Sequence, residues 1–213
     1  PGAYYFKEIV KGGLPSLFRQ GCSSIAFVML NHSAGVYGDA AIAAMTVVQR
    51  IMQFAASAMI GYGQGFQPVC GFNFGAKKYD RVKDGVKFCT KSSLLVLIAF
   101  SVIGIVFAPQ LIAQFRDDPE VIAIGVRTLR FQCISFPLVG WIIISNMMAQ
   151  TIGYTVRASI MGMGRQFLFF VPCLYIMSAV MGLTGIEASQ MAADIIGFAV
   201  SLAIGIDILK KMK

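Results

Sequence analysis

Charged residues are spaced along the chain so as to leave apolar runs long enough to cross a membrane. Residues 51–76, 92–115, 131–156 and 166–186 contain no Asp, Glu, Lys or Arg, and 20–38 lacks them too, although it includes His32. A helix rises ~1.5 Å per residue and a bilayer's hydrocarbon core is ~30 Å thick, so each run can span it. A sixth run, 188–209, is apolar apart from Asp194 and Asp207. The pattern therefore predicts an all-α integral membrane protein, one lobe covering 1–213, with spans at about 14–34, 39–73, 88–109, 120–147, 159–181 and 188–209.

Local signals set the expected ends. Pro15 belongs in the first turn of the first span, where its missing N–H costs little, and Asp39 reads as the N-cap of the second. The stretch Gly61 to Pro68 is too rich in glycine for an ordinary helix interior, so the second span needs either a kink or a helical extension beyond the membrane. Gly63, Gly65, Gln67, Pro68, Gly71, Asn73 and Gly75 form the expected helix-break motif. Gly61 with Gly65, and Gly71 with Gly75, have the GxxxG spacing that lets helices approach closely in lipid. Pro109 should end the third span, Pro137 bend the fourth, and Pro172 lie near the middle of the fifth.

Composition agrees with a lipid setting, because 57% of residues are apolar and 13% charged. The net charge of +8 does not indicate nucleic acid, since the cations sit in short connections rather than on one broad face. Lys7 and Lys11 precede the first span; Lys77, Lys78, Arg81, Lys83, Lys87 and Lys91 follow the second; Arg157 and Arg165 follow the fourth; Lys210, Lys211 and Lys213 follow the sixth. The intervening connections carry Asp39, Asp117, Asp118, Glu120 and Glu187 against Arg116. The positive-inside rule then puts both termini in the cytoplasm. Lys7, Glu8 and Lys11 argue against a signal peptide, and the start at Pro1 suggests a processed chain or a fragment. Cys22, Cys70, Cys89, Cys133 and Cys173 lack CxxC spacing and read as small packing residues rather than a metal or disulfide set.

Polar groups inside the spans need partners, water or an escape to the interface. Arg19 can snorkel from its helix end. Arg127 and Arg130 share a face of the fourth span, and the expected topology offers Asp194 as their partner, a packing or gating ion pair. Gln49, Gln53 and Ser57 form a polar stripe, and Gln20, Gln132, Asn146 and Gln150 add uncharged polar groups. Interhelical hydrogen bonding and the lining of a transport cavity are equal readings of that set. Hydrolytic, nucleotide-binding and zinc motifs are absent, so neither an enzyme nor a metal or cofactor site is expected.

The run Gly63-Gln-Gly-Phe-Gln-Pro-Val-Cys-Gly-Phe-Asn-Phe-Gly-Ala76, followed by Lys77-Lys-Tyr-Asp-Arg81, strongly resembles the multidrug and toxic compound extrusion (MATE) transporters. Gly13-Leu-Pro-Ser16 with Arg19-Gln20, Tyr37-Gly-Asp-Ala-Ala-Ile-Ala43, Gly153, Arg165-Gln166 before Pro172, and Gly185-Ile-Glu-Ala188 with Ala193-Asp194 extend the resemblance over nearly the whole chain. It implies the C-terminal six-helix lobe of a twelve-helix transporter whose N-terminal lobe is elsewhere. It also implies export of small organic, often cationic compounds from the cell through its inner membrane, in exchange for H⁺ or Na⁺, by alternating access. Gln20, Gln49, Gln53, Gln132 and Asn146 are then the candidate cavity residues. The first span carries no carboxylate, so coupling carboxylates are expected in the absent lobe. A lipid-linked oligosaccharide flippase of the same superfamily, favoured by the arginines, and a non-transporting membrane scaffold are the alternatives.

Overall fold

A computed structural model describes the backbone of residues 3–212 and the side chains of residues 10, 13, 17 and 20–212. The chain is 91% helical. Helix α1 spans Ala3–Gly35, α2 Asp39–Gly75, α3 Tyr79–Val106, α4 Ala108–Ala113 and α5 Pro119–Thr151. Then come α6 (Thr155–Met163), a π-helical turn (Gly164–Leu168), α7 (Phe170–Met181) and α8 (Leu183–Lys211). Among the described residues, five helical segments are long and apolar enough to cross a membrane: α2, α3, α5, the α6–α7 segment and α8. Helix α1 has 33 residues, a length of ~50 Å.

Several expected boundaries move. Helix α1 starts at Ala3, so Pro15 lies well inside it and not in its first turn. Lys7, Lys11, Arg19 and Lys213 have side chains outside the described residues. Gly38, at φ 99°, caps α2, leaving Asp39 as the first helical residue, where its charge meets the positive end of the helix. Pro109 enters the first turn of α4 instead of closing α3. Asp118 caps α5 by accepting from the Glu120 amide at 3.0 Å, with Pro119 at the first helical position.

The expected helix break does not occur. All seven motif residues, Gly63, Gly65, Gln67, Pro68, Gly71, Asn73 and Gly75, lie within one 37-residue helix. Proline removes one hydrogen bond, and burial of Phe66 and Cys70 on either side of Pro68 holds the helix through the gap. The helix is ~55 Å long, so the helical extension takes up the excess length. It stops where Lys77 turns left-handed at φ 57° and the Lys78 amide donates back to the Asn73 carbonyl at 2.9 Å.

The expected GxxxG pairs are likewise not the close contacts. Gly63 lies under Met147 and Ile143, and Gly71 under the Thr151 methyl of α5, whereas Gly61, Gly65 and Gly75 have no neighbour within 4 Å of where a Cβ would stand. The glycines that pack against α5, Gly63 and Gly71, are spaced by eight residues, about 2.2 turns, so both lie on the side of α2 towards α5.

The fifth expected span is one helical segment interrupted by a π-helical turn ahead of Pro172. The Phe169 amide donates to the Gly164 carbonyl at 2.9 Å, a five-residue turn, and α7 restarts at Phe170. Pro172 therefore falls in the first turn of α7, where its missing amide goes unnoticed. Gly182, at φ 61°, links α7 to α8, and Gly185 packs so close to the Met177 carbonyl that a side chain has no room.

Helix α5 is the hub, packed along α8, α2 and α3. Of its most apolar stretch 61% is buried, against 22% for the α6–α7 segment, whose apolar surface is mostly exposed. Contacts between Arg127 and Glu187, and between Ser135 and Asp194, show that α5 and α8 run parallel and in step.

Candidate functional site

A cavity of about 940 Å³ opens between α1, α2, α5 and the π-helical turn. Gln20, Gln49, Gln53, Gln132 and Asn146 all border it. Gln49 and Gln53 are one turn apart on α2, and Gln132 and Asn146 are nearly four whole turns apart on α5, so helical periodicity alone keeps each pair on one face. Ser57 does not extend the stripe; its hydroxyl donates to the Gln53 carbonyl at 2.8 Å. Asn146 is partly committed to the scaffold, because its Nδ2 donates to the Ala158 carbonyl and ties α6 to α5. Gln132 is almost wholly buried, while Gln20 and Gln53 are exposed.

The structure adds Thr46, Arg50, Gln150, Arg165, Gln166 and Gln190 to the lining, alongside apolar Met52, Ile142, Met147 and Phe170. Among the described residues, amides, hydroxyls, apolar groups and two arginines face the space, and no carboxylate borders it. Arg165 is neutralised from behind. Its Nε donates to Asp194 Oδ1 at 2.7 Å, Gln190 Nε2 donates to the same oxygen at 3.0 Å, and Ser135 Oγ donates to Oδ2 at 3.1 Å. Asp194 thus joins α5, α8 and the π-helical turn within the cavity wall. A π turn adds one residue to a helical repeat and rotates the residues beyond it, which re-aims a side chain at such a position.

The expected pairing of Arg127 and Arg130 with Asp194 is not formed. Arg127 Nη2 instead meets Glu187 Oε1 at 3.0 Å, and Arg130 makes no ion pair among the described residues. Glu187 and Asp194 are seven residues apart, ~10 Å along α8. With the helices parallel and in step, Arg127 meets the carboxylate at its own depth and Asp194 lies level with Ser135. Sequence reasoning missed Arg165, reading it as a connection cation, and placed Glu187 in a connection. The signal for Arg165 was its position seven residues before Pro172 in a segment that must otherwise cross the membrane.

At the other end of the bundle, Asp207 binds Arg157 at 2.6 Å and Lys211 at 2.9 Å, fastening the start of α6 to the end of α8, while the Arg157 guanidinium lies 5.2 Å from the Tyr154 ring centre. Among the described residues no group of three His, Cys, Asp or Glu side chains is placed to hold a metal ion.

Long apolar helices around a polar-lined cavity define an all-α, multi-pass integral membrane protein. The MatE family model matches residues 15–176, and the chain belongs to that family. It is 25% identical over 194 residues to the multidrug export protein MepA of Staphylococcus haemolyticus, covering 91% of this chain and 42% of the relative. Identity to MepA of Staphylococcus saprophyticus is 28% over 189 residues, covering 89% and 42%. The chain thus spans less than half the length of these relatives. Among solved structures, the Vibrio cholerae MATE transporter VcmN in its bent form matches with a TM-score of 0.91 at 20% identity, covering all of this chain and 48% of that one. The outward-facing conformation of a multidrug resistance MATE family transporter matches at 0.91 and 22%, again with 100% and 48% coverage.

Proposed function

We propose that the chain is the C-terminal half of a multidrug efflux antiporter of the cell membrane, working by alternating access, with both ends of this segment cytoplasmic. Family membership and the multidrug export proteins among the relatives support transport rather than catalysis. The observation that carries the reading is the cavity of about 940 Å³ in which neutral amides alternate with apolar surface. Such a wall receives flat organic molecules of varied shape, since amides donate and accept and Met or Ile side chains adapt. Positive charge on the substrate, and coupling to H⁺ or Na⁺, need carboxylates that are absent among the described residues of this lining, so the partner lobe supplies them.

A second reading, a lipid-linked oligosaccharide flippase, draws support from Arg50, a cation bordering the cavity without an ion pair among the described residues. Ethidium efflux from vesicles separates the cases. Efflux from this segment joined to a matching N-terminal lobe, absent from the segment alone and abolished when the ion gradient collapses, supports the exporter. No efflux from the joined protein rejects it in favour of the flippase or a non-transporting scaffold.

A further inference from the structure

A second, smaller pocket of about 570 Å³ lies where α2 hands over to α3, bordered by Lys77, Lys78, Arg81, Lys83 and, from the far end of the chain, Met212. Asp80 also borders it, but its side chain is fully exposed and reaches Lys83 only at 4.0 Å. Lys77, Lys78 and Arg81 make no ion pair among the described residues. Three exposed cations without ion pairs around one concavity make a positively charged surface that complements an anion.

The backbone points the same way. Lys77 is the single described non-glycine residue with positive φ, at 57°, in the position where helices usually place glycine. A side chain there costs ~1–2 kcal/mol relative to glycine, and such strain persists at functional positions. The strained residue is one of the pocket's own cations. Topogenic charge alone does not explain this, since the positive-inside rule needs a lysine nearby and not one in a left-handed turn.

We propose that this pocket binds the phosphate headgroup of an anionic membrane lipid. The site lies at the end of a 37-residue helix, longer than a bilayer core requires, and the neighbouring turns of α2 and α3 expose apolar Val69 (54%), Phe72 (77%) and Phe88 (69%). A headgroup among the cations would let its acyl chains lie along these side chains, an arrangement that a free anion does not use. Clusters of Lys and Arg beside a membrane helix contribute about 1 kcal/mol per cation towards anionic lipid. The proposal is independent of what the cavity transports.

The test is thermal unfolding of the full-length protein in nanodiscs of phosphatidylcholine, with and without one-fifth phosphatidylglycerol. Phosphatidylglycerol should raise the wild-type Tm by about 5 °C. The Lys78→Gln/Arg81→Gln variant should keep its Tm in pure phosphatidylcholine and lose at least half of that rise. Lys77→Gly, which removes both strain and charge, should melt no lower than wild type in phosphatidylcholine and lose part of the rise. An undiminished rise in the double variant, a lower Tm of Lys77→Gly in phosphatidylcholine, or an equal rise produced by inorganic phosphate without anionic lipid would overturn the proposal.

Discussion

The two carboxylates of α8 that lie between the helices, Glu187 and Asp194, are both almost completely buried and each faces one arginine, yet they are held very differently. Asp194 receives three donors from three segments, and its arginine is only 16% exposed. Glu187 receives one, from an arginine that is 55% exposed, and its Oε2 has no hydrogen-bond partner. The difference teaches that burial of an acid does not define its role. A carboxylate saturated with donors is a fastening, whereas one held by a single exposed arginine, with its second oxygen unpaired, is incompletely satisfied and depends on that one contact.

A short series of substitutions tests the contrast. Asp194→Ala should have the largest effect, since it strands Arg165 in the cavity wall; breaking a buried pair costs about 3–5 kcal/mol, read as a large fall in the detergent melting temperature. Replacing the pair together, Arg165→Met with Asp194→Leu, should recover most of that stability, and a double variant as unstable as Asp194→Ala would show that the ion pair is not the source. Glu187→Gln should cost less, about 1–2 kcal/mol, because exposed Arg127 can turn to water. Ser135→Ala removes one of three donors from Asp194 and should cost about 1 kcal/mol. Arg130→Gln should change stability by less than about 0.5 kcal/mol, as expected for a group without an ion pair. A larger loss for Glu187→Gln than for Asp194→Ala would reverse the comparison.

Function offers a separate reading of the same wall. In this segment joined to a matching N-terminal lobe, Gln53→Ala, at an exposed position bordering the cavity, should lower ethidium efflux several-fold with little change in melting temperature. Gln132→Ala should lower both, because that amide is buried.

Much of this molecule was legible from the spacing of polar residues. Charge-free runs mark helices because a side chain that cannot be hydrated must be apolar, whereas the amides at Gln49, Gln53, Gln132 and Asn146 admitted two readings, interhelical bonding and cavity lining. The helix break at Gly63 to Gly75 misled because glycine and proline report only a local preference; buried neighbours on α5 and around Pro68 override it. The π turn at Gly164–Leu168 was equally hidden, since a one-residue insertion leaves no mark on composition.

By itself, then, the sequence determined that the chain is helical and lives in a membrane, because hydration and helical period act on each segment separately. Only the tertiary structure decided that Asp194 holds Arg165 and Glu187 holds Arg127, and which glycines of α2 touch α5. Those outcomes depend on the relative height and rotation of parallel helices, quantities that neighbouring segments set together and that no single segment carries.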